Sequence, residues 1–240
     1  MVKPVSSFLY SPMLEQNLIQ IAGVIDPPEA EMLQQCGVRY LGFPLRLAVH
    51  REDLTEEEAA SIIKSLAAPV FGVLITYLHQ ASEIAALCHA LGARIVQLHG
   101  EIGRDELKRL KTLEPTLTVI KSLVIGMRDD KALEAMAREL SPWVDAFITD
   151  TFDPKTGASG ATGKIHDWRV SRRLVEVVDR PVILAGGLTP ENVKRGILEV
   201  RPAGVDSHTG VEDSSGRKSR DKVRKFLSEA NEAFDLVRAR

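Results

Sequence analysis

The chain contains few cysteines and no long apolar run. Cys36 and Cys88 are the only cysteines among 240 residues, and neither has the spacing of a metal site. A reducing cytoplasm is therefore the expected compartment. No apolar run reaches membrane-spanning length. Residues 1–17 lack the apolar core and cleavage pattern of a signal peptide, and we interpret them as an N-terminal extension that caps the bottom or side of the fold.

Excess charge of either sign is also absent. The chain has 31 Lys and Arg against 33 Asp and Glu, which gives a formal net charge of −2. This balance gives no support to a nucleic-acid or membrane surface, so we expect neither partner. With 44% hydrophobic residues, the chain is long enough for one large core.

Apolar runs alternate with segments of helical period along the whole chain. This order predicts one parallel sheet, and eight such units predict an α/β fold, a single (β/α)₈ TIM barrel over residues 18–240. A doubly wound open sheet is the alternative, but the first strand-to-helix junction has no G-x-G-x-x-G motif. The predicted strands are 19–22, 38–43, 70–75, 95–98, 117–124, 146–150, 182–185 and 204–206, and the predicted helices are 28–36, 56–66, 82–91, 105–113, 130–140, 168–178, 190–200 and 219–237.

Two glycine-bearing junctions near the end of the chain favour a phosphate site. In Pro181–Val193 a buried strand is followed by Gly186 and Gly187, and Thr189 is the predicted N-cap of the next helix. A second junction follows in Ala203–Glu212. Both match the loops after strands seven and eight that bind phosphate in barrels, although ordinary strand-to-helix turns are the alternative. The second junction supplies four more candidate phosphate ligands: Ser207, His208, Thr209 and Gly210.

An acid and a glycine-rich loop follow the sixth strand. Asp150 ends this strand, where partial burial can tune a carboxyl group for proton transfer. Capping of the loop is its alternative role. The loop over residues 151–164 is a candidate lid, and its Gly160, Thr162 and Gly163 are further candidate phosphate ligands.

Three polar residues belong to the fourth and fifth strands. Gln97 and His99 lie at the end of the fourth strand, where each contacts substrate or satisfies local backbone groups. Lys121 interrupts an apolar strand and is a further candidate for substrate binding. An inward lysine there would pair with Asp150 or Asp206, or act as a nucleophile if desolvated.

Five segments together carry a family resemblance. In this order and spacing they resemble phosphoribosylanthranilate isomerase, and the match spans most of residues 18–227. The segments are VQLHG (96–100), VIKS (119–122), the acid of FITD with GATGKIHDW (160–168), LAGGLTPENV (184–193) and GVDSHTGVE (204–212).

The resemblance implies an Amadori rearrangement of N-(5-phosphoribosyl)anthranilate in tryptophan biosynthesis, without metal or organic cofactor. A general acid opens the ribose ring, and a general base removes the C2 proton. Asp150 falls on the family's acid. Arg51 falls on the arginine that meets the anthranilate carboxylate, and Arg46 is its rival because the intervening loop differs. The expected partner is a small sugar phosphate, and the sequence leaves the oligomeric state open.

The chain departs from the family at its first strand. The family's K-I-C-G is Gln20-Ile21-Ala22-Gly23 here, so the lysine and the basic cysteine are both missing. The two cysteines of the chain fall on helices that face away from the barrel mouth. Candidate replacement bases are Asp206, Asp26, His99 and His208, and we assign catalysis to Asp150 and Asp206. The alternatives are a barrel that acts on another sugar phosphate and a non-catalytic protein that binds a phosphorylated ligand.

Overall fold

The computed structural model describes residues 14–47, 52–151 and 165–239. Strands and helices alternate over this part of the chain, as predicted. The strands are β1 (Leu18–Ala22), β2 (Tyr40–Pro44), β3 (Phe71–Thr76), β4 (Ile95–Leu98), β5 (Thr118–Ile125), β6 (Ala146–Thr151), β7 (Val182–Leu184) and β8 (Gly204–Ser207). The helices are α1 (Pro27–Gln35), α2 (Glu56–Ser65), α3 (Ala81–Leu91), α4 (Arg104–Leu113), α5 (Asp130–Leu140), α6 (Trp168–Val177), α7 (Val193–Val200) and α8 (Arg220–Arg238).

The strands form one closed barrel. Each pairs in parallel with the next along the chain, and β8 returns to pair with β1. The predicted (β/α)₈ TIM barrel is therefore confirmed. In the register between β1 and β8, Gln20 lies beside Asp206. These two residues lie at the base of the candidate site, which we call the barrel floor.

The barrel separates two apolar layers, because successive strand residues point to opposite faces. Ala22, Tyr40, Val73 and Ile120 belong to the smaller inner cluster. A larger outer cluster joins alternate strand residues such as Leu98 to the helices. Both faces of the strands are thus covered, as expected for parallel sheets.

Polar caps begin most of the helices. Thr55 forms a capping box with Glu58 at the start of α2, and Asp129 caps α5. The prediction for α7 is wrong by three residues, because this helix begins at Val193. Thr189 instead caps the preceding turn, where its hydroxyl accepts from the N–H of Glu191 at 3.2 Å. No helix in the described residues is long and apolar enough to cross a membrane.

The described end of the N-terminal extension lies against the bottom of the barrel. Leu14 is 5% exposed and belongs to the inner cluster. The N–H of Glu15 donates to the hydroxyl of Tyr40, at the start of β2, over 3.1 Å. Residues 1–13 lie outside the described chain, and their capping role stays a prediction.

Candidate active site

Two buried carboxyl groups define the mouth of the barrel. Asp150 near the end of β6 is 6% exposed, and Asp206 on β8 is 8% exposed. Burial raises the pKa of Asp150 to about 7, against one opposing hydrogen bond from the N–H of Thr151. The pKa of Asp206 also rises to about 7, first through burial and further through the charge of Asp150. Both groups therefore titrate in the range where an acid and a base are effective at neutral pH.

A chain of buried side chains joins the two carboxyl groups across the barrel floor. The amide of Gln20 donates to Asp206 Oδ1 at 3.0 Å and to Gln97 Oε1 at 2.8 Å. Gln97 Nε2 lies 2.6 Å from His99 Nε2. The other ring nitrogen of His99 lies 3.8 Å from Asp150 Oδ2. The sequence-predicted Gln97, His99, Asp150 and Asp206 are thus brought together.

The direction of the hydrogen bond from Gln97 determines the tautomer of His99. The amide nitrogen of Gln97 only donates, so His99 Nε2 accepts and the ring proton lies on Nδ1. Burial, assisted by the charge of Lys121, lowers the pKa of His99 to about 3. The imidazole is therefore neutral, and Nδ1 has no hydrogen-bond partner. His99 thus offers a donor to a ligand beside Asp150, and its accepting nitrogen is already occupied.

The two glycine-bearing junctions come together at the ends of β7 and β8. Gly186 and Gly187 have φ values of 91° and 64°, a left-handed backbone that side chains disfavour. A Cβ on Gly186 would lie 2.3 Å from Thr151 Oγ1. Within the described chain, no main-chain hydrogen bond uses the N–H of Gly186, Gly187, Thr209 or Gly210. These four N–H groups are therefore not committed to another main-chain acceptor in this set of bonds.

A side-chain hydrogen bond and a close approach fasten the second junction to the first. The hydroxyl of Ser207 donates to the carbonyl of Leu188 at 2.8 Å. A Cβ on Gly210 would lie 1.9 Å from the same carbonyl oxygen. Because the single hydroxyl proton of Ser207 is committed to Leu188, this side chain holds the junctions together in the structure.

His208 lies beside the end of β1. A Cβ on Gly23 would lie 2.0 Å from His208 Nε2, so a side chain at Gly23 would displace the ring. His208 Nε2 is 3.5 Å from Glu212 Oε1, and Glu212 also binds the buried ammonium of Lys218 at 2.7 Å. These contacts place the ring next to the second junction, and its predicted phosphate contact stays a prediction.

The inward orientation expected of Lys121 is wrong. Lys121 pairs in register with Leu98, a member of the outer cluster, and its ammonium donates to the carbonyls of Leu98 and Ser122 at 3.3 and 2.8 Å. Among the described residues it forms no ion pair with Asp150 or Asp206. Burial lowers its pKa to about 8. It lines an outer cavity of about 630 Å³, because strand alternation turns it away from the barrel axis.

The predicted contacts to the anthranilate end are only partly described. Arg51 lies outside the described residues. Arg46 has a φ of 51°, and its guanidinium pairs with Glu56 at 2.8 Å in an exposed position. The candidate phosphate ligands Gly160, Thr162 and Gly163 also lie outside the described residues. The roles of these residues stay predictions.

Two further titratable groups, one candidate base and one cysteine, are unsuited to act as the base. The carboxylate of Asp26 caps α1 through the N–H of Glu29 at 2.8 Å and pairs with Arg217 at 2.7 Å. Burial in α3 raises the pKa of the Cys88 thiol to about 12. Asp206 remains as the buried carboxyl group that faces Asp150.

Two polar residues gained significance only from the structure. Gln20 had no assigned role in the sequence, because a lone glutamine carries no spacing motif. His166 bridges Thr151 Oγ1 at 3.0 Å and Ser171 Oγ at 2.6 Å, and burial lowers its pKa to about 4. Its neighbour Asp167 caps α6, and this cap was the only local signal.

We expect Asp206→Asn to stabilise the protein more at pH 8 than at pH 5. A carboxyl group whose folded-state pKa is raised stabilises the fold while protonated, and that stability is lost as pH rises from about 4 to about 7. The amide remains neutral and still accepts from Gln20. Thermal unfolding should show the excess gain at pH 8, about 2–4 °C for each 1 kcal/mol in a chain of this size.

Asp105→Asn is the control for this measurement. Its carboxylate is 90% exposed on α4, so its substitution should change the melting temperature equally at both pH values. If Asp206→Asn raises the melting temperature equally at pH 5 and pH 8, burial does not raise the pKa of Asp206.

A family model and several relatives match the chain. The model described as "N-(5'phosphoribosyl)anthranilate (PRA) isomerase" matches residues 21–229. The chain is 38% identical to N-(5'-phosphoribosyl)anthranilate isomerase 2 of Methanosarcina mazei, over 92% of this chain and 96% of that relative. It is 36% identical to the isomerase of Haloferax volcanii, over 91% of this chain and 95% of that relative.

Solved structures of phosphoribosylanthranilate isomerases have a barrel fold similar to that of this chain. The phosphoribosyl anthranilate isomerase of Thermotoga maritima matches with a TM-score of 0.76 and 26% identity, over 90% of this chain and 99% of that one. The isomerase of Pyrococcus furiosus matches with a TM-score of 0.73 and 25% identity, over the same shares. The chain therefore belongs to the N-(5'-phosphoribosyl)anthranilate isomerase family.

Proposed function

We propose that the protein catalyses the isomerisation of N-(5'-phosphoribosyl)anthranilate to the corresponding 1-deoxyribulose phosphate. The carrying observation is the pair of buried carboxyl groups, Asp150 and Asp206, whose pKa values both lie near 7. They stand beside two junctions whose main-chain donors have no main-chain acceptor in the described part of the chain. Family membership supplies the substrate, and the pair supplies an acid and a base for its two proton transfers.

Asp150 acts as the general acid in the first step. Its raised pKa keeps a fraction of the carboxyl group protonated at neutral pH, and the proton passes to the ring oxygen of the ribose. The bond between this oxygen and C1 breaks, and the nitrogen lone pair forms a Schiff base with C1. The Nδ1–H of His99, 3.8 Å from the carboxyl group, supports the carboxylate that is left.

Asp206 acts as the general base in the second step. It removes the proton from C2, and the electron pair moves to give an enolamine, which tautomerises to the ketone. Ala22 at the end of β1 has no ionisable group, so this role falls to a carboxylate on the adjacent strand. The register that places Asp206 beside Gln20 supports this assignment, because β1 and β8 end together.

The substrate phosphate binds between Gly186, Gly187, Thr209 and Gly210. Their N–H groups are unused by the main chain of the described residues, and main-chain donors at such junctions favour anions. We expect phosphate or a sugar phosphate to raise the melting temperature. At one hundred times the dissociation constant, the stabilisation should reach about 2.7 kcal/mol.

Gly186→Ala is the matched variant for phosphate binding. A Cβ there would collide with Thr151 Oγ1 at 2.3 Å, and the left-handed backbone adds strain, so the response to phosphate should weaken. Gly216→Ala is the control, because it has a similar φ of 84° and an unobstructed Cβ position. Equal phosphate responses in both variants, or none in the wild type, would contradict this placement.

The anthranilate end of the substrate is assigned to Arg51, with Arg46 as the alternative. Gln97 and His99 contact the sugar. Lys121 lies on the outer face of β5, and its charge helps to lower the pKa of His99. We place the enzyme in the cytoplasm, since both described cysteines are unpaired.

A second reading is favoured by one observation, the absence of an ionisable group at Ala22. On this reading the barrel binds a phosphorylated ligand without isomerising it, or acts on another sugar phosphate. Turnover of N-(5'-phosphoribosyl)anthranilate by the purified protein separates the readings. Phosphate binding without turnover would support the second reading.

A further inference from the structure

Gln20 is a fully buried polar side chain in the centre of the barrel floor. It is 0% exposed, and both protons of its amide nitrogen are used, one by Asp206 and one by Gln97. Its own oxygen, Oε1, has no hydrogen-bond partner. A buried polar group of this kind costs stability, so its presence inside the barrel requires a reason.

The surroundings of Asp206 hold it without a direct countercharge. Gln20 on β1 is its hydrogen-bond donor, and the charges that act on it are those of Asp150 and, more weakly, Lys218. Lys218 is bound to Glu212 at 2.7 Å. No ion pair in the described chain includes Asp206. Ile183 on the neighbouring β7 and Ala185 just after it face the same interior and carry no charge.

Resting on the proposed isomerase function, we propose that Gln20 is a positioning residue for the C2 proton transfer. One N–H of its amide holds the Asp206 carboxylate in a fixed orientation, and the other anchors the amide to Gln97. Because the amide is neutral, Asp206 remains basic enough to take a carbon-bound proton. Gln20 thereby allows a carboxylate to serve as base in a barrel whose first strand ends in alanine.

The chemistry of the alternatives explains why an amide suits this position. An ammonium group here would lower the pKa of the Asp206 carboxyl group by about 1–3 and make the carboxylate a weaker base. An apolar side chain would remove the donor, leave the carboxylate free to rotate and disfavour its ionised form. The amide orients the carboxylate and leaves its charge available for reaction.

Gln20→Lys and Gln20→Met test this inference in opposite directions. The acidic limb of the kcat/KM profile reports ionisation of the base. This limb should move to lower pH in Gln20→Lys and to higher pH in Gln20→Met, each by about one unit or more. At pH 7 both variants should lose roughly tenfold or more in kcat with KM nearly unchanged.

A second readout does not depend on turnover. In protein labelled with ¹³C at the aspartate carboxyl carbons, the Asp206 signal, assigned with Asp206→Asn, should titrate lower in Gln20→Lys and higher in Gln20→Met. Gln34→Met is the control, because the only side-chain hydrogen bond of Gln34 on α1, among the described residues, goes to the carbonyl of Ala30. It should leave both the limb and the titration unchanged.

The results distinguish a failure of the proposed role of Gln20 from a failure of the proposed isomerase function. If the wild type turns over substrate but neither variant moves the limb or the carboxyl titration, Gln20 is merely structural and the inference is wrong. If the titrations move in opposite directions while the wild type shows no turnover, the isomerase function and the catalytic role of Gln20 are wrong. The electrostatic hold on Asp206 would then stand alone.

Discussion

Asp150→Asn is expected to lower kcat by about 10²–10⁴-fold, the usual contribution of general acid catalysis. The amide has nearly the same shape and still accepts from the N–H of Thr151, which bonds the native carboxylate at 2.7 Å. It has no proton to give to the ring oxygen. Steady-state rates measured by loss of anthranilate fluorescence should therefore fall, while binding of inorganic phosphate changes little.

The pH profile of the Asp150 variant provides an independent check. An acid must be protonated, so wild-type activity should fall as pH rises through the apparent pKa near 7, and this alkaline limb should vanish in Asp150→Asn. Asp105→Asn on α4 should keep both the rate and the limb. Equal rates for Asp150→Asn and the wild type would remove Asp150 from the mechanism.

Asp206→Asn should have an effect of the same order, about 10²–10⁴-fold in kcat, because it removes the base. Ala22→Cys should change the wild-type rate far less, since Asp206 already takes the C2 proton. When Ala22→Cys is combined with Asp206→Asn, the new thiol should restore part of the rate that Asp206→Asn removes. This rescue should rise with pH toward about 8.5, the ordinary pKa of a thiol, or lower beside positive charge.

The opposite pattern would relocate the base. If Ala22→Cys raises the rate by orders of magnitude while Asp206→Asn leaves it unchanged, the wild type lacks an efficient base and Asp206 binds substrate only. The acidic limb of the profile would then be absent in the wild type, because it reports ionisation of Asp206.

The fold was predictable from the sequence because its signals are local and repeated. Eight apolar runs separated by helical segments determine the order of elements, and parallel strands buried on both faces leave little ambiguity. The start of α7 was less predictable. Thr189 and Pro190 resemble a helix start, yet the turn they form delays α7 to Val193, since the side chain of Asn192 accepts from Thr189 at 2.8 Å.

The site was predictable where position in the barrel decides it. Asp150 and Asp206 end strands, and strand ends meet at one face. The direction of Lys121 was not predictable, because apolar residues lie both before and after it in β5 and the run shows no alternation that fixes which face is inward. Gln20 was missed as a participant because its partners, Gln97 and Asp206, lie 77 and 186 residues away along the chain.

The most direct test of the account is turnover of N-(5'-phosphoribosyl)anthranilate by the purified wild-type protein, compared with Asp150→Asn and Asp206→Asn. We expect measurable isomerisation by the wild type, with a bell-shaped dependence of kcat/KM on pH centred near neutrality, and loss of about 10²–10⁴-fold in each variant. A folded, phosphate-binding wild type that leaves the substrate unchanged at every pH would contradict the account.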